Sequence, residues 1–227
     1  MISVIACTNR EEFVPNIMAN FQRQSLKEKE LILIVHSSNF HVEGALHFPN
    51  EMSLGECLNE GVSTATYKYV TKMDDDDYYG SGYLTEVYES LLHTGADVVG
   101  KSSFYLYFQQ EQLLQLYNPN QENRWIVNHG PYKTKYFLSG ATLAFKKEIL
   151  SQVAFPAVNL GEDSSFQQMV YFKGLKMYCL SKEHYAYVRY PKQTHHHSDV
   201  SDSLLKRRSQ FVTYTSSVEE YFKRKKQ

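Results

Sequence analysis

The feature that most constrains this chain is its opening. A short, uninterrupted apolar run at Ile2–Cys7 is followed by a helical pattern and then by a second apolar run, LILIV, at Leu31–Val35. Such runs suit strands covered on both faces, and strand–helix–strand order requires a right-handed crossover into a parallel sheet. Thr8-Asn9-Arg10 breaks the first strand, and Phe13, Ile17 and Phe21 then share one helical face, with Pro15 tolerated in the first turn. The expected fold class is α/β, a mixed, mostly parallel sheet flanked by helices in a single domain.

The alternation continues down the chain. Leu54–Ala65 puts Leu54, Leu58, Val62 and Ala65 on one stripe, and Tyr67–Met73 is the strand that follows. Tyr83–Thr94 returns to helical spacing with Gly95 as its stop, and Ala96–Gly100 is a further strand. Between 101 and 135 the pattern loosens, with a strand expected near Ser103–Phe108 and a long loop through Tyr117–Trp125. Phe137–Phe145 reads as a strand, Lys146–Val153 as a short helix, and 164–173 as a helix stopped by Gly174. Lys176–Leu180 and Tyr185–Tyr190 read as strands. The expected division is a domain over 1–202 and a basic helical tail over 203–227.

Composition excludes several classes. Hydrophobic residues make up 42% of the 227 residues, enough for a packed core, and a net charge of −1 gives no general case for binding nucleic acid. Aromatic residues reach 14%, mostly tyrosine, which serves either an aromatic core or a polar cleft. Cys7, Cys57 and Cys179 have neither zinc nor redox spacing and fit buried thiols in a reducing compartment. The N-terminal apolar run lacks the basic flank of a signal peptide, and no stretch approaches the roughly 20 apolar residues of a membrane span, so a cytoplasmic location is expected. Seven Lys/Arg against two Glu give Lys206–Gln227 a local charge of +5. That tail reads either as a solvated helix or as a peripheral dock on an anionic membrane.

Three clusters could carry chemistry. Asp74-Asp75-Asp76-Asp77 stands at the end of a strand, where ligands bind in open α/β sheets. Four carboxylates within about 14 Å of extended chain repel unless a hard divalent cation sits among them, although a solvated turn is the alternative. Gly161-Glu162-Asp163 opens a helix, so Asp163 is either a cap or a carboxylate held ionised as a general base. His195-His196-His197 is either an exposed polar loop or the source of one or two metal ligands.

In order and separation, these residues resemble the family 2 glycosyltransferases of GT-A fold, over roughly Ile2 to His197. ISVIACTNR at 2–10 resembles the family's first strand and nucleotide-contacting turn, and SLGECLNEG at 53–61 its helix leading to the D-x-D motif. FLSGATLAFKKEIL at 137–150 resembles its acceptor-side strand and helix. The resemblance implies a nucleotide-diphospho-sugar donor and a glycan or lipid-linked acceptor. It implies nucleotide contacts from Thr8, Asn9, Arg10, His36, Leu54, Gly55, Asp74 and Asp75. Mn²⁺ or Mg²⁺ would be held by Asp76 with His195 or His197, while Glu162 and Asp163 form the E-D motif with Asp163 as base of an inverting transfer. A weaker similarity is to bacterial members associated with spore-coat or surface polysaccharide assembly. The chain departs from the pattern after LILIV, where His36-Ser37-Ser38 stands in place of the aspartate that reads a uracil imide, so UDP, dTDP, GDP and CDP donors all stay open. Two rivals are a nucleotidyltransferase, which would want a Gly-rich loop where CTNREE stands, and a silent nucleotide-sugar-binding module.

Overall fold

The computed structural model of the protein describes residues 1–126, 138–191 and 200–225. Strand β1 (Ile2–Thr8) runs parallel between β2 (Lys29–His36) and β4 (Tyr69–Lys72). Ile2, Val4 and Ala6 feed apolar clusters on one face, and Ile5 feeds another cluster on the opposite face. This double covering is what an uninterrupted apolar run demands, and each of the Ile and Val side chains contributes about 1.5–3 kcal/mol when buried. Helix α1 (Val14–Arg23) makes the crossover from β1 to β2, with Pro15 in its first turn. Strand β3 (Leu46–Phe48) extends the edge beyond β2.

Helix α2 (Leu54–Thr64) leads into β4 and begins with a capping box. Ser53 Oγ accepts from Glu56 N, and Glu56 Oε2 accepts from Ser53 N at 2.8 Å. After β4 come β5 (Tyr78–Tyr79) and helix α3 (Tyr83–Thr94), which Gly95 closes in a left-handed conformation. The large sheet is completed by β6 (Val98–Gly100), β9 (Arg124–Ile126), β10 (Ala144–Lys146) and β11 (Met177–Cys179), in the order β3-β2-β1-β4-β10-β6-β11-β9. β10 runs antiparallel between β4 and β6. Helix α4 (Glu162–Phe172) precedes β11 and packs Phe166 and Val170 inward.

A second sheet contains β7 (Phe104–Phe108), β8 (Leu113–Tyr117), β12 (Tyr185–Arg189) and β13 (Ser209–Tyr214), in the order β13-β8-β7-β12-β5. Phe104, Leu106 and Tyr185 from this sheet share one apolar cluster with Val4 and Tyr69 from the first and with Leu84 of α3. The two sheets therefore meet at a common core, with β5 beside the acidic run.

Three expectations need correction. The tail from 203 is not one helix: it contains the end of α5 (Asp202–Arg207), then β13, then α6 (Val218–Arg224). Ser209–Tyr214 is rich in β-branched and aromatic residues, and it pairs antiparallel with β8 through a bulge between Phe211 and Thr213. Its flanking charges face carboxylates of the fold, Lys206 against Glu111 and Lys225 against Glu183. Of the strand expected over Phe137–Phe145, the described residues from 138 on form a 3-10 turn at Gly140–Thr142 and then β10. The loop expected through Tyr117–Trp125 ends in β9, which pairs with β11. Among the described residues no helix is long and apolar enough to cross a membrane.

Candidate active site

Strand β4 delivers the acidic run to the floor of a cleft of about 800 Å³ at the carboxyl ends of β1, β2 and β4. Thr8, Asn9, Arg10, His36, Leu54, Asp74, Asp75, Asp76, Glu162 and Asp163 all line it. Residues separated by up to 155 positions thus meet in one place because parallel strands present their C-terminal ends on the same side.

The four aspartates have different surroundings. Asp75 is buried and accepts from Thr8 Oγ1 at 2.5 Å and from Arg10 Nε at 3.1 Å, with a further contact from the Arg10 guanidinium. Its carboxylate serves to hold the turn after β1. Asp77 is fully buried, accepting from Tyr185 Oη at 2.6 Å and Val188 N at 3.0 Å, and burial pushes its carboxyl well above the usual range. Asn16 and Asn20, one turn apart on α1, grip the backbone carbonyls of Asp75 and Asp77. Asp74 and Asp76 face the cleft. Burial, reinforced by Asp75, pushes Asp76 up to about 7 despite an ion pair with Arg10 at 3.0 Å. A carboxyl so disfavoured as an anion gains from a cation beside it.

That donor set fits Mn²⁺ or Mg²⁺ in part. Asp74 and Asp76 offer hard oxygens at a cleft wide enough for a diphosphate, whose oxygens commonly complete the coordination of such ions. Among the described residues no group of three or more His, Cys, Asp or Glu forms a metal cluster by itself. His195 and His197, expected as ligands, lie outside the described residues.

Opposite the acidic run stands the Glu162-Asp163 pair. Gly161 caps α4 at φ +79°, a left-handed conformation that glycine adopts without strain, so Asp163 lies inside the first turn and is not the cap. Asp163 Oδ1 accepts from Ser164 N at 2.6 Å. Its other oxygen occupies the space beside Gly140, where an added Cβ would stand 1.6 Å away. Glu162 is buried, and burial raises its carboxyl above the usual value while Lys72 opposes that rise. Lys72 is itself buried at the cleft floor; burial works against its charge, but Asp74, Glu162 and Asp163 outweigh it and keep it protonated.

On the nucleotide side, Asn9 and Arg10 reach the cleft, and Leu54 lines it while its N–H donates to Asn159 Oδ1 at 2.7 Å. Gly55 does not line the cleft. Its N–H donates to Val158 O, and its missing side chain admits the Pro156 carbonyl, so its role is to seat α2 against that loop. His36 lines the cleft with its Nε2 buried and, among the described residues, without a hydrogen-bond partner. Sequence reasoning missed Asn16, Asn20, Lys72 and Tyr185. The available signal was polar residues in apolar stripes: Asn20 interrupts the buried face of α1, and Lys72 interrupts a buried strand.

Residues 44–153 match the description Glycosyl transferase family 2. Over that span the chain is similar to the family 2 glycosyltransferases. The matched span is just under half of the chain and includes α2, the acidic run and β10. The glycosyltransferase GlyA of Streptococcus pneumoniae serotype 4 (strain ATCC BAA-334 / TIGR4) is 25% identical over 145 residues, covering 59% of this chain and 21% of that protein. The crystal structure of S. aureus TarS 1-349 in complex with UDP-GlcNAc aligns with a TM-score of 0.62 at 16% identity, over 85% of this chain and 59% of that one. The mannosyltransferase PcManGT from Pyrobaculum calidifontis, in complex with GDP-Man and Mn²⁺, aligns with a TM-score of 0.57 at 14% identity, over 86% and 58%. The chain spans about a fifth of the streptococcal relative and about three fifths of these crystallised proteins. The chain shares the GT-A fold of these crystallised glycosyltransferases.

Proposed function

We propose that this chain carries a family 2 glycosyltransferase domain that transfers a sugar from a nucleotide-diphospho-sugar to an acceptor hydroxyl, with inversion at C1. One observation carries the reading: Asp74 and Asp76 at the end of β4, and Glu162 and Asp163 at the start of α4, line a single cleft with the turn after β1. Asn9 and Arg10 bind the nucleotide beside Asp74. Asp76 is the residue that would hold Mn²⁺ or Mg²⁺, and the chemistry such an ion supplies when bound is neutralisation of the diphosphate. Asp163 accepts the proton of the acceptor hydroxyl as that oxygen bonds to C1, and the C1–O bond to the diphosphate breaks on the opposite face. Its carboxylate accepts from Ser164 N at 2.6 Å and stands in the first turn of α4, at the edge of the cleft.

His36 sets the donor base. A neutral imidazole nitrogen donates or accepts one hydrogen bond according to its tautomer, so His36 does not impose the imide preference of a carboxylate. The acceptor is a glycan or lipid-linked hydroxyl in bacterial polysaccharide or surface glycan assembly, a setting supported by the similarity to the streptococcal glycosyltransferase. Free Cys7, Cys57 and Cys179 support a reducing, cytoplasmic setting. The test is a thermal-shift screen of UDP, dTDP, GDP and CDP with and without Mn²⁺, followed by hydrolysis of the matching nucleotide-sugars. One diphosphate should stabilise the protein in a Mn²⁺-dependent way, and Asp76→Ala should remove that dependence. If no diphosphate shifts the transition and no nucleotide-sugar is cleaved, the reading fails.

A further inference from the structure

Lys72 has no part in the transfer described above, yet it occupies its centre. It is the last residue of β4, 6% exposed. Its Nζ lies 3.7 Å from Asp74 Oδ1 and 3.6 Å from Glu162 Oε1. Both separations are beyond direct hydrogen bonding but well within the range of strong attraction at a buried site. The backbone leaves it little freedom, because Lys72 N donates to Leu143 O at 2.9 Å and Met73 N to Ile5 O at 3.0 Å.

The two carboxylates it faces come from different elements, one from the D-x-D side and one from the E-D side. Glu162 is faced by Lys72 as cation and by Asp163 and Asp74 as like charges. A buried glutamate beside two aspartates is unstable as an anion without an opposite charge. The gap between the leaving-group side and the base side is where the transferred sugar must lie, so a fixed cation there sets the spacing of both walls.

We infer that Lys72 is a positioning residue that holds Glu162 and Asp74 in one geometry across the sugar end of the cleft. The inference rests on the proposed transfer and acts through Glu162, not through contact with the reacting atoms. With the donor identified by the screen above, Lys72→Met should lower kcat by about 10- to 100-fold while donor KM changes less than about threefold. The acid limb of its kcat–pH profile should move to higher pH as Glu162 loses its cation. Lys72→Arg, which keeps the charge, should restore both. A Lys72→Met enzyme with unchanged kcat and acid limb, or a Lys72→Arg enzyme as impaired as Lys72→Met, overturns the inference.

A second measurement decides the matter without turnover. At pH 8 Lys72→Met should melt below wild type, less so at pH 5, and adding Glu162→Gln should recover most of the loss. Absence of that recovery also overturns the inference. Loss of turnover in the wild-type protein with every donor would instead sink the proposed function and leave this stability test standing.

Discussion

Asp75 and Asp77 are gripped from several elements, by Thr8 and Arg10 after β1 and by Tyr185 and Val188 of β12, while Asn16 and Asn20 of α1 hold the intervening carbonyls. Across the cleft, Asp163 has Ser164 for a partner and the space beside Gly140, and Glu162 faces Lys72 at ion-pair range. One wall is clamped and the other is lightly held. Four adjacent carboxylates repel, so two of them are consumed as struts that aim the other two. The base proposed above, Asp163, has a different requirement, namely room to follow an acceptor hydroxyl.

The largest expected effect comes from the lightly held wall. Asp163→Asn should reduce turnover about 10³-fold, close to 4 kcal/mol in the barrier, with the melting temperature nearly unchanged. Steady-state kinetics paired with a thermal melt would check it, and near-normal turnover would reduce Asp163 to a structural residue. Next is the clamped wall, where stability is at stake. Asp77→Ala strands the Tyr185 hydroxyl and the Val188 N–H in the core, and at about 1–3 kcal/mol per unpaired group the expected loss is about 3 kcal/mol in urea unfolding. A loss below about 1 kcal/mol would mean that the clamp is not structural.

Two glycines sharpen the same comparison. An added Cβ at Gly140 would stand 1.6 Å from Asp163 Oδ2 and 2.8 Å from Asp163 Cβ, all side chain, whereas one at Gly55 would stand 1.8 Å from the Pro156 carbonyl oxygen, which is backbone. Gly140→Ala should therefore cost turnover, about tenfold, and less stability than Gly55→Ala, because the carboxylate can swing aside and only Asp163 Cβ has to give. Gly55→Ala should cost about 1–3 kcal/mol of stability, because backbone must shift. Equal stability losses in the two variants would break the distinction.

The smallest effect concerns Asp76. The folded chain retains its proton up to about pH 7, while the unfolded chain releases it near 3.8. This group's contribution to stability is therefore full below about pH 4 and is lost as pH rises to 7. Since a cation takes the proton's place, Mn²⁺ should raise the melting temperature by about 2–4 °C more at pH 7.5 than at pH 5.5. Asp76→Asn should flatten that difference, and a shift independent of pH would remove Asp76 from the metal site.

Much of this was legible in the residues. The apolar runs at Ile2–Cys7 and Leu31–Val35 marked β1 and β2, and the 3.6 period with a glycine stop located α3 at Tyr83–Thr94. β5 is only two residues long and carries no period. β8 and β13 have half-exposed residues and pair with each other late in the chain, so neither shows the covered pattern of a central strand. The charged flanks of β13 concealed it as a tail.

By itself, then, the sequence determined the βαβ core, the acidic run at the end of β4 and the Glu162-Asp163 pair at the head of α4, since each depends on local period, propensity or capping. Only the tertiary structure decided which aspartates are struts and which face the cleft, that Gly55 seats a helix instead of lining the site, and that Lys72 stands between the two acidic walls. Those outcomes depend on groups from distant segments converging at one point, and burial and charge there are properties of the assembled site, not of any window of residues.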